Sequence, residues 1–403
     1  MLNSEIIRAD FEILNKSGNK RLPIYFDNAS MSLKPHSVLE AMNDYYLNHP
    51  TAAGRSSYKL AELTTNKIKD TRRLVANFLN AKNESEIIFL RNTTEAINLL
   101  ANSLKLEAGD IVLTTDKEHN SNLVPWQYLV EKKGVKHKIV KSNNDGIFDL
   151  ESYKELVKGV KLVSMVHTSN LDGTTIPAKE IIKIAHDNGA LVFLDAAQSA
   201  PHQKIDVRDL DVDFLAFSGH KLLGPTGTGI LYGKYSLLEK LDPFMVGGGT
   251  VEYSTYTEYK MLMAPEKFEA GLQDYAGIIG LGEAIKYLQA VGFDNIKEQE
   301  IKLNRYITEE ISKLSKIKII GPLDPSLRSG IISFYVEGVD MHQFALLLDE
   351  MSGIMIRSGQ HCVHSWFNEK KIKNSARISL YFYNTMEEAE ILINSLIKIV
   401  KII

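Results

Sequence analysis

The chain has 403 residues, 44% of them hydrophobic and 24% charged, with a formal net charge of −3 and a single cysteine. At about 150 residues per domain, this length allows two or three domains or one large α/β enzyme with a sizeable core. The near-balanced charge gives no electrostatic case for nucleic acid or an anionic membrane, and one cysteine excludes an internal disulfide and suits a reducing compartment.

The N-terminal stretch MLNSEIIRADFEILNKSG is amphipathic with interspersed acids, unlike a signal or transit peptide. No apolar run approaches the roughly 20 residues of a membrane span, so a cytoplasmic globular protein is expected. LPIYFDNAS (22–30) reads as a short strand running into a turn. Residues 57–80 carry apolar side chains at helical spacing. EIIFL (86–90) reads as a strand, and NTTEAINLLANSLKL (92–106) opens with capping residues and continues as a helix. Further strands are expected at 110–115, 135–140, 160–167, 190–198 and 213–220, with helical stretches between most of them. Such alternation, with almost unbroken apolar strands, predicts a mostly parallel sheet covered on both faces. After about Gly271 the pattern changes to a long helical region (277–316), strands at 317–320, 330–336 and 354–359, a helix at 340–351 and a terminal helix from 385. That is the pattern of a smaller α+β domain. No internal repeat or low-complexity tract interrupts the chain.

Ligands of such sheets sit outside the carboxyl ends of the strands. Five polar segments follow strands: NTTE (92–95), EHNSN (118–122), TSN (168–170), DAAQ (195–198) and SGHK (218–221). All five should meet in one crevice. Alone, Lys221 reads as a turn lysine. Asp195, closing the apolar strand ALVFLD, changes that reading, because a lysine that forms a Schiff base and an aspartate for a pyridinium nitrogen are the equipment for pyridoxal phosphate. Thr93 and Thr94 open a helix fit for its phosphate, and His119 offers a flat partner for its ring.

These residues sit in longer motifs: YFDNASMSLKP (25–35), EHNSNLVPWQ, HTSNLDG, LDAAQSAPH, FSGHKLLGPTGTGILYG, FEAGLQDYAGIIGLGEA, RSGQHC (357–362) and RISLYFYNT. Through them nearly the whole chain resembles the class V, fold-type I enzymes that use pyridoxal phosphate. Within these it resembles the group II (SufS-like) cysteine desulfurases, which overlap with selenocysteine lyases.

The resemblance implies an N-terminal helical segment (1–20) packing with the small domain, a large cofactor domain (21–290) with a mostly parallel sheet of seven-stranded type, and a small domain (291–403) carrying Cys362 and Arg377. It implies that Lys221 holds the cofactor covalently and moves the Cα proton. Asp195 would pair with the ring nitrogen, His119 would stack on the ring, and Gln198 would bond its hydroxyl. Thr94, the Thr93 backbone, Ser218 and His220 would hold the phosphate. Asn170, Arg357 and Arg377 fall to the substrate, with an Arg fork suited to its carboxylate. The plainer alternatives are a turn role for Asn170 and a structural acid such as Asp349 or Glu387 as partner of Arg377.

The implied reaction converts L-cysteine, or L-selenocysteine, to alanine. It leaves a persulfide on Cys362 for a sulfur acceptor or iron–sulfur scaffold protein. Cationic neighbours Arg357, His361 and His364 should favour the thiolate, with a short extended segment presenting the sulfur. A packed, inert thiol is the alternative. A homodimer is expected, and no metal ligand set is assigned. Three stretches depart from the family pattern: Gly54-Arg55-Ser56-Ser57 in place of a His-containing segment, Leu272 in place of a cross-subunit phosphate threonine (with Gln273 or Tyr275 as substitutes), and GQHCVHSW. Class V aminotransferases, kynureninase-like hydrolases and epimerases are the rival readings, and none of them needs Cys362.

Overall fold

The computed structural model describes residues 4–15 and 23–402. The first strand, β1 (Ile24–Tyr25), is only two residues long and pairs in parallel with Ile354–Met355 rather than with the main sheet. Its Ile24 and the adjoining Phe26 are buried among Leu303, Phe334 and Leu396 of the C-terminal core. The short helices Ser4–Ala9 and Glu12–Asn15 precede it. Phe11 between them packs edge-on to Tyr287 and Phe382, and Arg8 pairs with Glu388 at 2.7 Å.

Seven strands form the main sheet: β2 (Ile87–Leu90), β3 (Ile111–Thr115), β4 (Lys136–Val140), β5 (Leu162–Val166), β6 (Leu191–Asp195), β7 (Phe214–Ser218) and β8 (Gly229–Gly233). Their order is β2-β8-β7-β6-β5-β3-β4. The run from β7 to β4 is parallel, and β8 is antiparallel to both of its neighbours. Continuous apolar runs produce this arrangement: β2, β5, β7 and β8 are buried at every residue, as strands covered on both faces must be. The glycine-rich run after Lys221 therefore holds a sheet strand that its composition hides. A Cβ at Gly229 would lie 2.5 Å from Asn92 Cα, so glycine there lets the following helix begin directly against the sheet.

The expected helix over 57–80 is Lys59–Leu79, and a further helix, His36–Asn48, escapes the periodic pattern because Val38 alone is fully buried in it. The long helical region breaks at Gly292 (φ 83°) into Tyr275–Val291 and Phe293–Ser312. Strands β9 (Val251–Ser254) and β10 (Tyr259–Met261) form an exposed hairpin. In the C-terminal unit β11 (Ile317–Ile320), β12 (Ile331–Val336), β14 (Arg357–Gly359) and β15 (Ser375–Ser379) make an antiparallel sheet in the order β11-β12-β15-β14, while β13 (Ile354–Met355) is the strand that takes β1. The terminal helix Met386–Ile402 closes that core.

Candidate active site

The carboxyl ends of β5, β6 and β7 open on one cavity of about 270 Å³. All five post-strand segments reach it. Thr93, Thr94, His119, Asn170, Asp195, Gln198, Ser218, His220 and Lys221 line it from the main sheet, and Arg357, Cys362 and Arg377 line it from the C-terminal unit. Every residue assigned to the cofactor, the substrate or sulfur transfer within one chain is thus in one wall or another. Ala29 and Ser30 also line it without having been anticipated, and so does Ser121, which the EHNSN segment contained but to which no role was given. Their signal was the NAS turn after the first strand and the hydroxyl two residues past His119.

Lys221 ends the single 3-10 turn Gly219–Lys221 that follows β7, and Asp195 is the last residue of β6, the neighbouring strand. Burial pushes the Lys221 amine down to about 8, against the pull of the Asp195 carboxylate. The Asp195 carboxyl is raised by burial, opposed by the Ala197 N–H it accepts at 2.9 Å and by Lys221. A lysine so placed presents an uncharged, nucleophilic amine far more readily than a surface lysine does. His119 Nδ1 accepts the Ser121 N–H at 3.1 Å, so the proton of the ring sits on Nε2. Burial, then Lys221 and Arg377, hold this imidazole at about 3, hence uncharged. Beneath it Glu118 is fully enclosed and takes bonds from Thr115, Val166 and Asn122, which fix the loop that carries His119.

The start of the helix Thr93–Ser103 makes an anion seat. Asn92 caps it through the Glu95 N–H, and Thr93 donates its N–H to Ser218 Oγ at 2.9 Å. Thr94 Oγ1 meets Ser121 Oγ at 2.7 Å. Hydroxyls gathered around a helix N-terminus suit a phosphate. Gln198 Nε2 donates to Ala29 O at 2.7 Å, while its Oε1 is buried without a partner.

On the opposite wall Arg377 (2% exposed) stands on β15, in register with Arg357 of β14. Its partner is neither Asp349 nor Glu387. Nη1 donates to Asn170 O at 3.0 Å, and Nη2 to Ser30 Oγ at 2.9 Å and Asp27 Oδ1 at 3.4 Å, leaving Nε buried and unpaired. Asn170 is more than a turn residue, since its Nδ2 donates to His361 O at 2.8 Å and its Oδ1 is an unpaired acceptor.

Cys362 is half-buried, and it does not lie on an extended segment. His361 (φ 50°) and Cys362 (φ 59°) form a left-handed turn, because the chain must reverse from β14 into the helix His364–Lys370. His361 also supplies no charge to the thiol. Its Nε2 meets Ser375 Oγ at 2.8 Å, and burial, then Arg377, holds the ring well below its usual range. The cations that share the cavity with Cys362 include Lys221, Arg357 and Arg377.

The departures at 54–57 and 272–275 lie elsewhere: Gly54, Arg55, Gln273 and Tyr275 share a separate cavity of about 310 Å³. Leu272 is 68% exposed, and Gln273 bonds Ala270 O. Among the described residues no cluster of three or more His, Cys, Asp or Glu could hold a metal ion, and no helix is long and apolar enough to cross a membrane.

A parallel-rich sheet whose strand ends deliver a buried lysine, an aspartate and a hydroxyl-lined helix start defines a class of enzyme. The chain belongs to the class-V aminotransferase family, whose model matches residues 24–392. It is 41% identical over 381 residues to a probable cysteine desulfurase of Pyrococcus abyssi, covering 94% of each chain. A probable cysteine desulfurase of Synechocystis sp. is also 41% identical, over 97% of this chain and 94% of that one. Among solved structures, the apo cysteine desulfurase of Thermococcus onnurineus superposes with a TM-score of 0.95 at 38% identity, over 100% of this chain and 99% of that one. An Escherichia coli cysteine desulfurase carrying an S-sulfonic acid does so at 0.92 and 31%, over 100% of both chains.

Proposed function

We propose that the chain is a cysteine desulfurase that uses pyridoxal phosphate to convert L-cysteine to L-alanine and takes the sulfur onto Cys362 as a persulfide. One observation carries this reading: the only thiol of the chain stands in the wall of the cavity that holds Lys221 and Asp195.

The residues present fit the cofactor. Gln198 Oε1 is a buried acceptor in need of a donor, which the ring hydroxyl would provide. Lys221 offers the amine for the aldehyde, Asp195 a carboxylate for the ring nitrogen, and His119 a flat uncharged face. Thr93, Thr94, Ser218 and His220 offer the phosphate seat. When bound, the group supplies a carbonyl for an amine and a sink for the electrons of the Cα–H bond.

The chain's own side chains do the rest. Asp195 would keep the ring nitrogen protonated, and Lys221, whose amine burial brings down to about 8, would move the Cα proton in its neutral form. Arg377, Arg357 and the free Oδ1 side of Asn170 hold the carboxylate and amino end of the substrate. The Cys362 thiolate then attacks the substrate sulfur. An S–S bond forms as the Cβ–S bond breaks, the electron pair stays on carbon, and protons complete alanine. The balance is thiol plus cysteine giving persulfide plus alanine, with no external oxidant. L-selenocysteine is the alternative substrate, and competition against L-cysteine would measure the preference.

The persulfide would pass to an acceptor protein of iron–sulfur cluster assembly in the cytoplasm. A second copy of the chain suits the exposed hairpin, where Tyr253, Tyr256 and Tyr259 face outward. Light scattering should give twice the 45.2 kDa chain mass. The deciding experiment is incubation of the cofactor-loaded protein with L-cysteine. Alanine should appear and the peptide spanning 357–366 should gain one sulfur. Alanine release that persists at full rate in Cys362→Ala sinks the reading in favour of another class V reaction.

A further inference from the structure

Two consecutive non-glycine residues in the left-handed region, His361 and Cys362, form a turn that L-residues disfavour. Something outside the turn holds it. The His361 carbonyl accepts Asn170 Nδ2 at 2.8 Å, and the Cys362 carbonyl accepts the backbone N–H of Asn120 at 2.7 Å. Both donors come from loops of the main sheet, so the turn is pinned across the crevice from the unit that does not contain it. Asn120 lines no part of the cavity, yet it follows His119 directly, and its side chain meets His364 Nδ1 at 2.6 Å, just past the thiol. As the first residue of the 3-10 turn Asn120–Asn122, it has an N–H with no partner inside that turn.

We infer that the backbone N–H of Asn120 is a positioning device for the thiol: by holding the Cys362 carbonyl it keeps the left-handed turn closed and the sulfur at the cavity wall. The inference rests on the desulfurase reading for its kinetic part only. It ties the loop that carries the flat ring of His119 to the atom that receives sulfur, so the two ends of the reaction share one strut.

Asn120→Pro tests it. Proline removes the N–H and sets a ring carbon in its place, forcing the Cys362 carbonyl away. It is otherwise suited to the site, being the first residue of the turn, and His119 (φ −58°, ψ 145°) already has the extended conformation a residue before proline requires. Asn120→Ala keeps the N–H and serves as control. In the cofactor-free protein, amide exchange over 357–366 should rise about fivefold in the proline variant and stay at the parent value in the alanine variant. With cofactor loaded, single-turnover persulfide formation should fall about a hundredfold in Asn120→Pro, the scale of an ångström's misplacement. Alkylation by iodoacetamide, which needs no aimed sulfur, should move by less than about threefold.

Unchanged exchange in the proline variant, an equal loss in the alanine variant, or alkylation falling in step with persulfide formation each overturns the inference. If Asn120→Pro does not fold, the parent decides: slow exchange of the Asn120 amide supports the strut, and exchange at the rate of a free amide refutes it. A parent that forms no persulfide at all fails the functional reading, while the exchange comparison still judges the strut.

Discussion

Replacing Arg377 with lysine separates charge from shape. The guanidinium is buried, with Nη1 on Asn170 O at 3.0 Å and Nη2 on Ser30 Oγ at 2.9 Å, and its unpaired Nε faces the question of what completes it. A carboxylate taken by the fork makes two charge-assisted bonds, and an ammonium in its place makes one. One such bond is worth about 2 kcal/mol, so Arg377→Lys should weaken L-cysteine binding about thirtyfold. The contact is made equally before and during reaction, so turnover at saturating substrate should stay within about threefold of the parent. The Asn170 carbonyl loses its donor, and the melting temperature should drop accordingly. Titrating the visible absorbance with L-cysteine reads the affinity, and alanine release at saturation reads turnover. A lysine variant that binds L-cysteine as the parent does, or that loses turnover while keeping affinity, refutes the assignment of Arg377 to the carboxylate.

Attachment of pyridoxal phosphate to cofactor-free protein should speed up about tenfold per pH unit and level off above about pH 8. Only the neutral amine of Lys221 attacks, and burial lowers its pKa to that value. A rate that still climbs at pH 10 in stopped-flow absorbance shows an ordinary lysine instead. Asp195→Asn should keep the visible colour and lose turnover by about a hundredfold or more, so full alanine production in that variant removes Asp195 from the mechanism. Gly229→Ala places a methyl 2.5 Å from Asn92 Cα, and should cost about 1–3 kcal/mol of stability and weaken cofactor binding by shifting the Thr93–Thr94 helix start. An unaltered melting curve contradicts the close packing described at that point.

Strands β5, β6 and β7 were legible because a strand covered on both faces must be apolar throughout, and Met165, Leu194 and Phe217 are buried as that rule requires. Their polar successors were legible for the same reason in reverse, since the chain changes character where it leaves the core for the crevice. Strand β8 was not, because glycines stand at both of its ends and blur its pattern, while the bare backbone of Gly229 is what lets Asn92 approach. The helix His36–Asn48 was missed because its apolar residues Leu39, Tyr46 and Leu47 are exposed, so no clean stripe marks it. At the site the residue types were readable and the pairings were not. That Arg377 leans on Ser30 and Asp27 depends on a turn some 350 positions away in sequence being folded under β15. The left-handed turn at Cys362 is likewise invisible in RSGQHC, because the donors to its carbonyls come from Asn120 and Asn170, far away in sequence.

The cavity has two parentages. Its floor, with Lys221, Asp195 and the Thr93 helix start, is built on the main sheet, whereas Arg357, Cys362 and Arg377 hang from the strands and turn of a second hydrophobic core around Phe334 and Leu396. Variation can therefore act on the two halves separately. A descendant that exchanged only the roof would keep the means of labilising an amino acid's Cα–H bond while changing which side chain is accepted and where its leaving atom goes. Diversification of such a lineage should be written in the β14–β15 wall and its turn long before it touches the floor.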